Sequence, residues 1–291
     1  MPSYAQEVKN ELAHRFDERD CLIAEFVALI RVGAKKIDGR LEFSTSNAAV
    51  ARRVIKLAKK FFPLIKPEVA AIRRTKLRKN MNYVVRFIAA GELQSFFDAL
   101  DLDEFLKRTR FKIAYLRGAF LAKGTVNRPE GQYLLEIVAT EAEAHFIRKQ
   151  LDKLDFNGGL YRRKKEFLVW LREADAICDF LGMVGADNAV ERFEIARNIK
   201  EIRLQVNRVV NMETASLNRA VDIAQGQLAD IKILLAAGVA VNKRLQQAID
   251  LRLANPTATV TELAEKIPMT QAGLQYRFKL IHQLAERLGE K

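Results

Sequence analysis

Residues 115–126 read YLRGAFLAKGTV, and the first part of this stretch has the composition of a tightly packed helix. Gly118 and Ala122 are four residues apart and therefore share one helix face. Small side chains on such a face allow a second backbone to approach closely. The helix then reaches Lys123 immediately before Gly124, so a segment suited to close packing ends in a cation.

The bulk composition is that of a folded globular protein with room for two domains. Of 291 residues, 49% are hydrophobic and 29% are charged. The two cysteines, Cys21 and Cys178, lie in apolar helical patterns, which favours reduced thiols in a cytoplasmic protein over a disulfide framework. No apolar run approaches the roughly 18 residues of a membrane span, and the N-terminus lacks a signal-peptide pattern.

The positive charge of the chain is concentrated in two clusters. The formal net charge is +13, and residues 52–79 contain eleven Lys or Arg against one acid, Glu68. A second basic run covers residues 162–165. Clustered cations favour a nucleic-acid partner, although a solvated face would give the same pattern for either cluster alone.

The two clusters fall at equivalent positions of a duplicated unit. Each copy is predicted as helix, strand, strand, helix, strand, strand, helix. The first copy has helices at 22–33, 48–62 and 91–100, a hairpin through Asp38-Gly39, and strand-like runs at 69–79 and 82–90. The second has helices at 111–123, 141–154 and 172–181, a hairpin turning at 129–131, and a basic hairpin at 159–171.

Duplication predicts two halves related by a pseudo-two-fold axis, with their leading helices packed together at the centre. Ala28, Gly118 and Ala122 would then allow close backbone approach. Arg74, Lys76 and Arg78 occupy every second position before a predicted turn at Asn80-Met81, so their side chains are expected to share one strand face. Arg162 and Lys164 of the second copy are also two residues apart and are expected to share a face. The four strands of each half would form a positive surface about as wide as a duplex. This basic saddle comprises Arg73, Arg74, Lys76, Arg78, Lys79, Arg162, Arg163, Lys164 and Lys165.

Beyond about residue 185 the pattern is entirely helical. Gly226 and Gly238 are possible helix breaks. The polar residues Asn207, Arg208 and Asn211 are compatible with two roles, which are contact with DNA or the capping and joining of helices.

The last segment predicts a helix over 243–254 followed by a helix-turn-helix. Thr259 or Thr261 caps the first helix, Pro268-Met269 forms the turn, and Thr270 caps the second helix. The buried side is supplied by Leu263, Ala264, Ile267, Leu274, Phe278 and Ile281. The candidate DNA-contacting residues are Thr261, Thr270, Gln271, Ala272, Gly273, Gln275, Tyr276, Arg277 and Lys279. Glutamine can bond adenine bidentately, and Arg277 and Lys279 suit guanine or phosphate; the alternative is a solvated helix face.

The repeat headed by residues 116–124 resembles the LAGLIDADG homing-endonuclease fold, with a weaker first copy at 26–34. Together with residues 196–221 and 259–281, it resembles the WhiA family over essentially the whole chain. That resemblance implies DNA binding, transcriptional control of sporulation genes in filamentous bacteria, and a role in cell division or chromosome segregation elsewhere. The family carries glycine at the position of Gly273 and arginine at that of Arg277, and often glycine where this chain has Lys123.

The resemblance also shows where nuclease chemistry would require acids. In LAGLIDADG nucleases each motif helix ends in an acidic residue at its eighth position, and the two acids hold divalent metal. Here those positions are Gly33 and Lys123, and neither side chain ligates a hard cation. The nearest downstream carboxylates, Asp38 and Glu130, lie in predicted turns. We therefore expect no catalytic residue, no metal site and no cofactor.

The sequence predicts an α+β protein: a duplicated αββαββα domain of LAGLIDADG type followed by an all-α helix-turn-helix domain. The expected boundaries are 1–190 for the first domain, with halves of about 15–105 and 106–190, then a helical linker at 191–220 and the DNA-binding domain at 221–291. The expected function is that of a non-enzymatic, nucleoid-associated regulator that binds double-stranded DNA, with regulatory or cell-division proteins as further partners and no small-molecule substrate. The alternatives are an active endonuclease with displaced metal ligands, or an N-terminal domain that serves only protein interaction.

Overall fold

The computed structural model describes residues 2–38, 40–74, 80–87 and 91–289. The chain divides into two compact units, Met1–Lys200 and Glu201–Lys291. No helix in these described ranges is long and apolar enough to cross a membrane.

The first unit begins with a helix that the predicted repeat did not include, α1 (Tyr4–Ala13), capped by Ser3. The first copy of the repeat follows as α2 (Arg19–Gly33), β1 (Ala34–Ile37), β2 (Arg40–Thr45), α3 (Ala48–Phe61), β3 (Pro67–Arg74), β4 (Asn80–Phe87) and α4 (Gly91–Ala99). Pairing of Ile37 with Arg40 confirms the predicted β1–β2 hairpin, in which Asp38 has a positive φ of 48°. Gly39 lies outside the described residues.

The second copy repeats this order after the short helix α5 (Leu102–Phe105). Its elements are α6 (Thr109–Lys123), β5 (Gly124–Val126), β6 (Leu135–Ala139), α7 (Glu141–Asp152), β7 (Gly159–Arg163), β8 (Glu166–Leu171) and α8 (Ala174–Val184). The two antiparallel sheets have strand orders β1-β2-β4-β3 and β5-β6-β8-β7. The same order in both sheets confirms the predicted duplication.

Helices α2 and α6 pack against each other at the centre of the unit, as the small residues predict. A Cβ atom built on Gly118 would lie 2.3 Å from the carbonyl oxygen of Glu25 and 2.9 Å from Cβ of Ala28. A Cβ on Gly33 would lie 2.2 Å from the ring of Phe43 on β2 and 3.2 Å from Cβ of Ala122 on α6. The close approach of the two helices therefore requires glycine at Gly118, whereas at Gly33 the ring of Phe43 is the closest neighbour.

A buried ionic network crosses this helix pair, and the sequence analysis did not detect it. The carboxylate of Glu25 accepts hydrogen bonds from Arg53 Nε at 2.7 Å and from Arg117 Nε at 2.8 Å. Arg117 also donates to Asp17 at 2.7 Å. Burial opposes the charged form of Arg117, but the carboxylates of Glu25 and Asp17 outweigh it and raise its pKa. The network ties α2, α3 and α6 together within the core.

Two details of the predicted basic hairpins were wrong. The β3–β4 register pairs Arg74 with Asn80, so Asn80 and Met81 begin β4 rather than forming the turn. In the second copy β7 ends at Arg163, and Lys164 begins a two-residue turn with a positive φ of 58°. Lys164 therefore does not continue the strand face of Arg162.

The second unit is helical, as predicted. Helix α9 (Asp187–Ala236) runs across the boundary between the units and is followed by α10 (Lys243–Ala254), α11 (Val260–Glu265) and α12 (Gln271–Gly289). Gly226 does not break α9, because a glycine within a helix retains its backbone hydrogen bonds and only lowers helix propensity. Gly238, with a φ of 64°, follows the end of α9 as expected. Residues on all four helices form the core: Ile231, Leu234, Leu245, Ala248, Ile249, Leu263, Ala264, Leu274, Phe278 and Ile281.

Candidate nucleic-acid interface

The first helix of the helix-turn-helix begins at a complete capping box. Glu262 N donates to Thr259 Oγ1 at 3.2 Å, and Thr259 N donates to Glu262 Oε2 at 2.7 Å. Of the two predicted caps, Thr259 is therefore the one used. Thr261 lies in the first turn of α11 with its side chain exposed.

The second helix begins at Thr270, the residue that the sequence indicated. Gly273 N donates to Thr270 Oγ1 at 3.2 Å, which satisfies one of the free amides at the start of α12. A Cβ on Gly273 would lie 3.3 Å from Met269 Cγ and from Thr270 Oγ1. The small residue thus lets the preceding turn fit closely against α12.

Helix α12 has a buried face and an exposed face. Leu274, Phe278 and Ile281 are buried in the core, as predicted. The exposed side near the helix start presents Gln271, Ala272, Gln275, Tyr276 and Lys279. This face carries hydrogen-bonding groups and an aromatic ring, and these are the side-chain types that contact base edges.

Arg277 is placed differently from these residues. It is partly buried, and its Nη1 donates to the carbonyl oxygen of Arg244 at 3.0 Å and to Gln247 Oε1 at 3.1 Å. Both acceptors lie on α10. The guanidinium of Arg277 thus fixes α12 against α10.

A second arginine, Arg252, holds the domain together beneath α12 and was missed by the sequence analysis. It is fully buried and donates from Nη2 to Gln227 Oε1 at 2.7 Å and from Nη1 to the carbonyl oxygen of Ala258 at 2.5 Å. Its guanidinium lies 5.4 Å from the Phe278 ring centroid, and burial lowers its pKa. A signal was present in the sequence, since Arg252 continues the apolar stripe of Leu245 and Ile249 at helical spacing.

In the first unit, Gly33 and Lys123 are the last residues of α2 and α6. Lys123 and Arg163, Lys164 and Lys165 of the basic saddle border one cavity, whereas Arg162 does not line it. Asp38 and Glu130 lie in turns, as predicted. Across residues 2–38, 40–74, 80–87 and 91–289, no three His, Cys, Asp or Glu residues are grouped as metal ligands would be.

The remaining predicted residues are distributed along strands and helices. Arg73 and Arg74 end β3, whereas Lys76, Arg78 and Lys79 lie outside the described residues. Asn207, Arg208 and Asn211 are exposed along the interior of α9. Because α9 is continuous there, these three residues do not cap or join helices.

Comparison with known proteins agrees with this architecture along the chain. Three family models match in order: the WhiA N-terminal LAGLIDADG-like domain at residues 19–102, the WhiA LAGLIDADG-like domain at 112–203 and the WhiA C-terminal HTH domain at 206–285. A relative from Desulfitobacterium hafniense (strain Y51), named "Probable cell division protein WhiA", is 36% identical over 316 residues, which cover 99% of this chain and 97% of the relative. The chain belongs to the WhiA family.

Other WhiA proteins support the same assignment. The protein of that name from Ligilactobacillus salivarius is 36% identical over 307 residues, covering 98% of this chain and 97% of the relative. The crystal structure of full-length DUF199/WhiA from Thermatoga maritima has a TM-score of 0.60 at 21% identity, covering 98% of this chain and 99% of that one. The WhiA fold, a LAGLIDADG-like domain followed by a helix-turn-helix, is therefore confirmed for this chain.

Proposed function

We propose that this WhiA protein is a non-enzymatic transcription regulator that reads duplex DNA with the exposed face at the start of α12. The observation that carries the proposal is the division of this helix into a buried face and an exposed, hydrogen-bonding face. Gln271 and Gln275 are four residues apart, so they lie on one side of the helix. In a helix-turn-helix, the early residues of the second helix are the ones that reach base edges in the major groove.

The arginines of the second unit act in this proposal as positioning residues. Arg277 holds α12 against α10, and Arg252, which lies on α10, holds that helix against the segment before α11. A rigid recognition helix loses little conformational freedom on binding, which favours affinity. Lys279, exposed one turn after Gln275, would contact phosphate. Asn207, Arg208 and Asn211 offer a further polar surface on α9 to DNA.

The biological role proposed here follows the family. The relatives carry the name of a cell division protein, and nucleoid-associated control of genes for division, chromosome segregation or sporulation is consistent with a DNA-reading domain. The basic saddle would provide either a second DNA contact or a platform for protein partners. The ends of α2 and α6 favour a binding role over cleavage, because Gly33 and Lys123 stand where nuclease carboxylates would be.

The experiment that tests this proposal selects genomic fragments with the full chain and then measures affinity for the selected site. Gln271→Ala and Gln275→Ala should each reduce the preference for that site over a scrambled duplex. Gln283→Ala is the matched control, since Gln283 is an exposed glutamine further along the same helix. Equal affinity for both duplexes in the unmodified protein would refute sequence readout. Site-specific cutting of plasmid DNA with Mg²⁺ would refute the non-enzymatic assignment.

A further inference from the structure

The cavity at the ends of the two central helices is a chemically distinctive feature of the first unit. It has a volume of about 890 Å³ and is bordered by the ends of α2 and α6, by β1, by β6 and by the β7–β8 turn. This is within the size range of small-molecule sites, roughly 300–1,000 Å³. Residues from both copies of the repeat meet here, since β1 belongs to the first and β6 to the second.

The wall of this basic cavity is strongly positive. Its one lining carboxylate, Glu166, faces six cationic residues: Arg31, Lys35, Lys123, Arg163, Lys164 and Lys165. Arg31 is neutralised from outside the cavity, because Glu143 lies 2.5 Å from its Nη2. Among the described residues, no ion pair is made by the ammonium groups of four lysines that line the cavity: Lys35, Lys123, Lys164 and Lys165. The cavity therefore retains a net positive charge that the protein itself does not balance.

The arrangement places like charges close together at an energetic cost. Lys123 is partly buried, and this burial together with the charge of Lys35 lowers its pKa. Burial, together with the charge of Lys123, also lowers the pKa of Lys9, on α1, to about 8. An anion between Lys35 and Lys123 would relieve the repulsion, because opposite charges at short range favour the charged form of each lysine.

The cavity also offers neutral and apolar contacts. Thr140, the N-cap of α7, makes no capping hydrogen bond with its side chain, so its hydroxyl is available to a ligand. Val32, Val138 and Leu168 contribute an apolar part of the wall. A ligand that matches this wall carries several negative charges at one end and an apolar planar group at the other.

We propose that the basic cavity binds a nucleoside di- or triphosphate, with the phosphates between Lys35, Lys123 and the β7–β8 turn. The base and sugar rest against the apolar wall formed by Val32, Val138 and Leu168. The described wall has few groups able to read a base edge, so adenine and guanine nucleotides bind with similar affinity. This site is distinct from the α12 surface and does not depend on the proposed readout of DNA.

Titration of the full chain with ATP, GTP, adenosine and inorganic tripolyphosphate, followed by calorimetry, tests the proposal. ATP and GTP should bind similarly, tripolyphosphate more weakly, and adenosine not measurably. Lys35→Gln and Lys123→Gln should each weaken ATP binding about tenfold, the loss typical of one charge-assisted hydrogen bond. Lys36→Gln is the matched control, because Lys36 is the exposed neighbour of Lys35 on β1 and does not line the cavity.

A second matched pair comes from β7, where Arg163 lines the cavity and Arg162 does not. Arg163→Gln should weaken ATP binding, and Arg162→Gln should leave it unchanged. Absence of ATP binding, or equal losses in the test and control variants, would overturn the proposal. A short duplex that displaces ATP, and whose own affinity falls in the Lys35 and Lys123 variants, would instead assign the cavity to the DNA backbone and also overturn it.

Discussion

Replacement of Gly118 by alanine tests the central helix contact directly. The added Cβ would lie 2.3 Å from the carbonyl oxygen of Glu25 and 2.9 Å from Cβ of Ala28, whereas real Cβ contacts are essentially never below 3.0 Å. Both opposing atoms belong to the backbone or Cβ of α2, so no side-chain rotation can move them away. Helices α2 and α6 must therefore separate.

The magnitude follows from two opposing terms. Alanine is favoured over glycine within a helix by about 0.5–1 kcal/mol. Overpacking of a rigid core costs about 1–3 kcal/mol, and the upper part of that range applies because α2 must move as a body. The shift would also strain the bond from Arg117 Nε to Glu25, now 2.8 Å long. We expect a net loss of about 2 kcal/mol and a decrease in melting temperature of about 4–8 °C, from the usual scaling for domains of this size.

Fluorescence of Trp170 provides the assay, because it is the protein's one tryptophan and lies in β8 of the first unit. Urea and thermal unfolding of Gly118→Ala would be compared with Gly182→Ala, which changes a helical glycine of α8. A Cβ on Gly182 would meet only Val190 Cγ2 at 3.8 Å, so this control should be stabilised by about 0.5–1 kcal/mol. If Gly118→Ala were as stable as the unmodified protein, the close contact between α2 and α6 would be refuted.

Three further outcomes are expected. Arg117→Met leaves Glu25 buried with Arg53 as its remaining arginine partner, and the free energy of unfolding followed by Trp170 fluorescence should fall by about 3–5 kcal/mol. Arg110→Met removes the exposed Arg110–Glu18 pair instead and should lower the same free energy by under about 1 kcal/mol. Lys9 has a folded-state pKa of about 8 against a usual 10.5, so the unfolded chain binds more protons between these values and stability should rise with pH across this window. Lys9→Met should remove that rise and stabilise the protein at neutral pH by about 1–3 kcal/mol. If the urea midpoint of the variant depended on pH in the same way as that of the unmodified protein, the assigned pKa would be contradicted. Gln275→Ala should reduce discrimination between target and scrambled duplexes by on the order of 1–3 kcal/mol in fluorescence anisotropy, and a uniform loss on both would indicate that Gln275 does not read bases.

Local sequence patterns predicted most of the helices and strands, because the formation of a helix or strand depends largely on neighbouring residues. Apolar spacing located the paired helices and strands of both copies, and Thr270 marked the start of α12. The errors arose where two local signals competed. Asn80-Met81 looks like a turn but pairs within a sheet, and Gly226 looks like a break but lies within a helix that continues on both sides.

The candidate site was predicted only in part. Gln271 and Gln275 were identified because exposure on a short amphipathic helix follows from its period. Arg277 has the same local character, yet it lies against α10 because of contacts to Arg244 and Gln247, some thirty residues away. Periodicity carries no information about such a partner.

The sequence by itself determined the duplication, the helix-turn-helix and the replacement of motif-end acids by Gly33 and Lys123. Only the tertiary structure decided which distant groups meet: Glu25 with Arg53 and Arg117, and Lys35 of the first copy with Lys123 and Arg163 of the second. The physical reason is that each copy forms its own helices and strands from local preferences. The position of one copy against the other depends on how α2 packs on α6, and that packing brings the unpaired cations into one cavity.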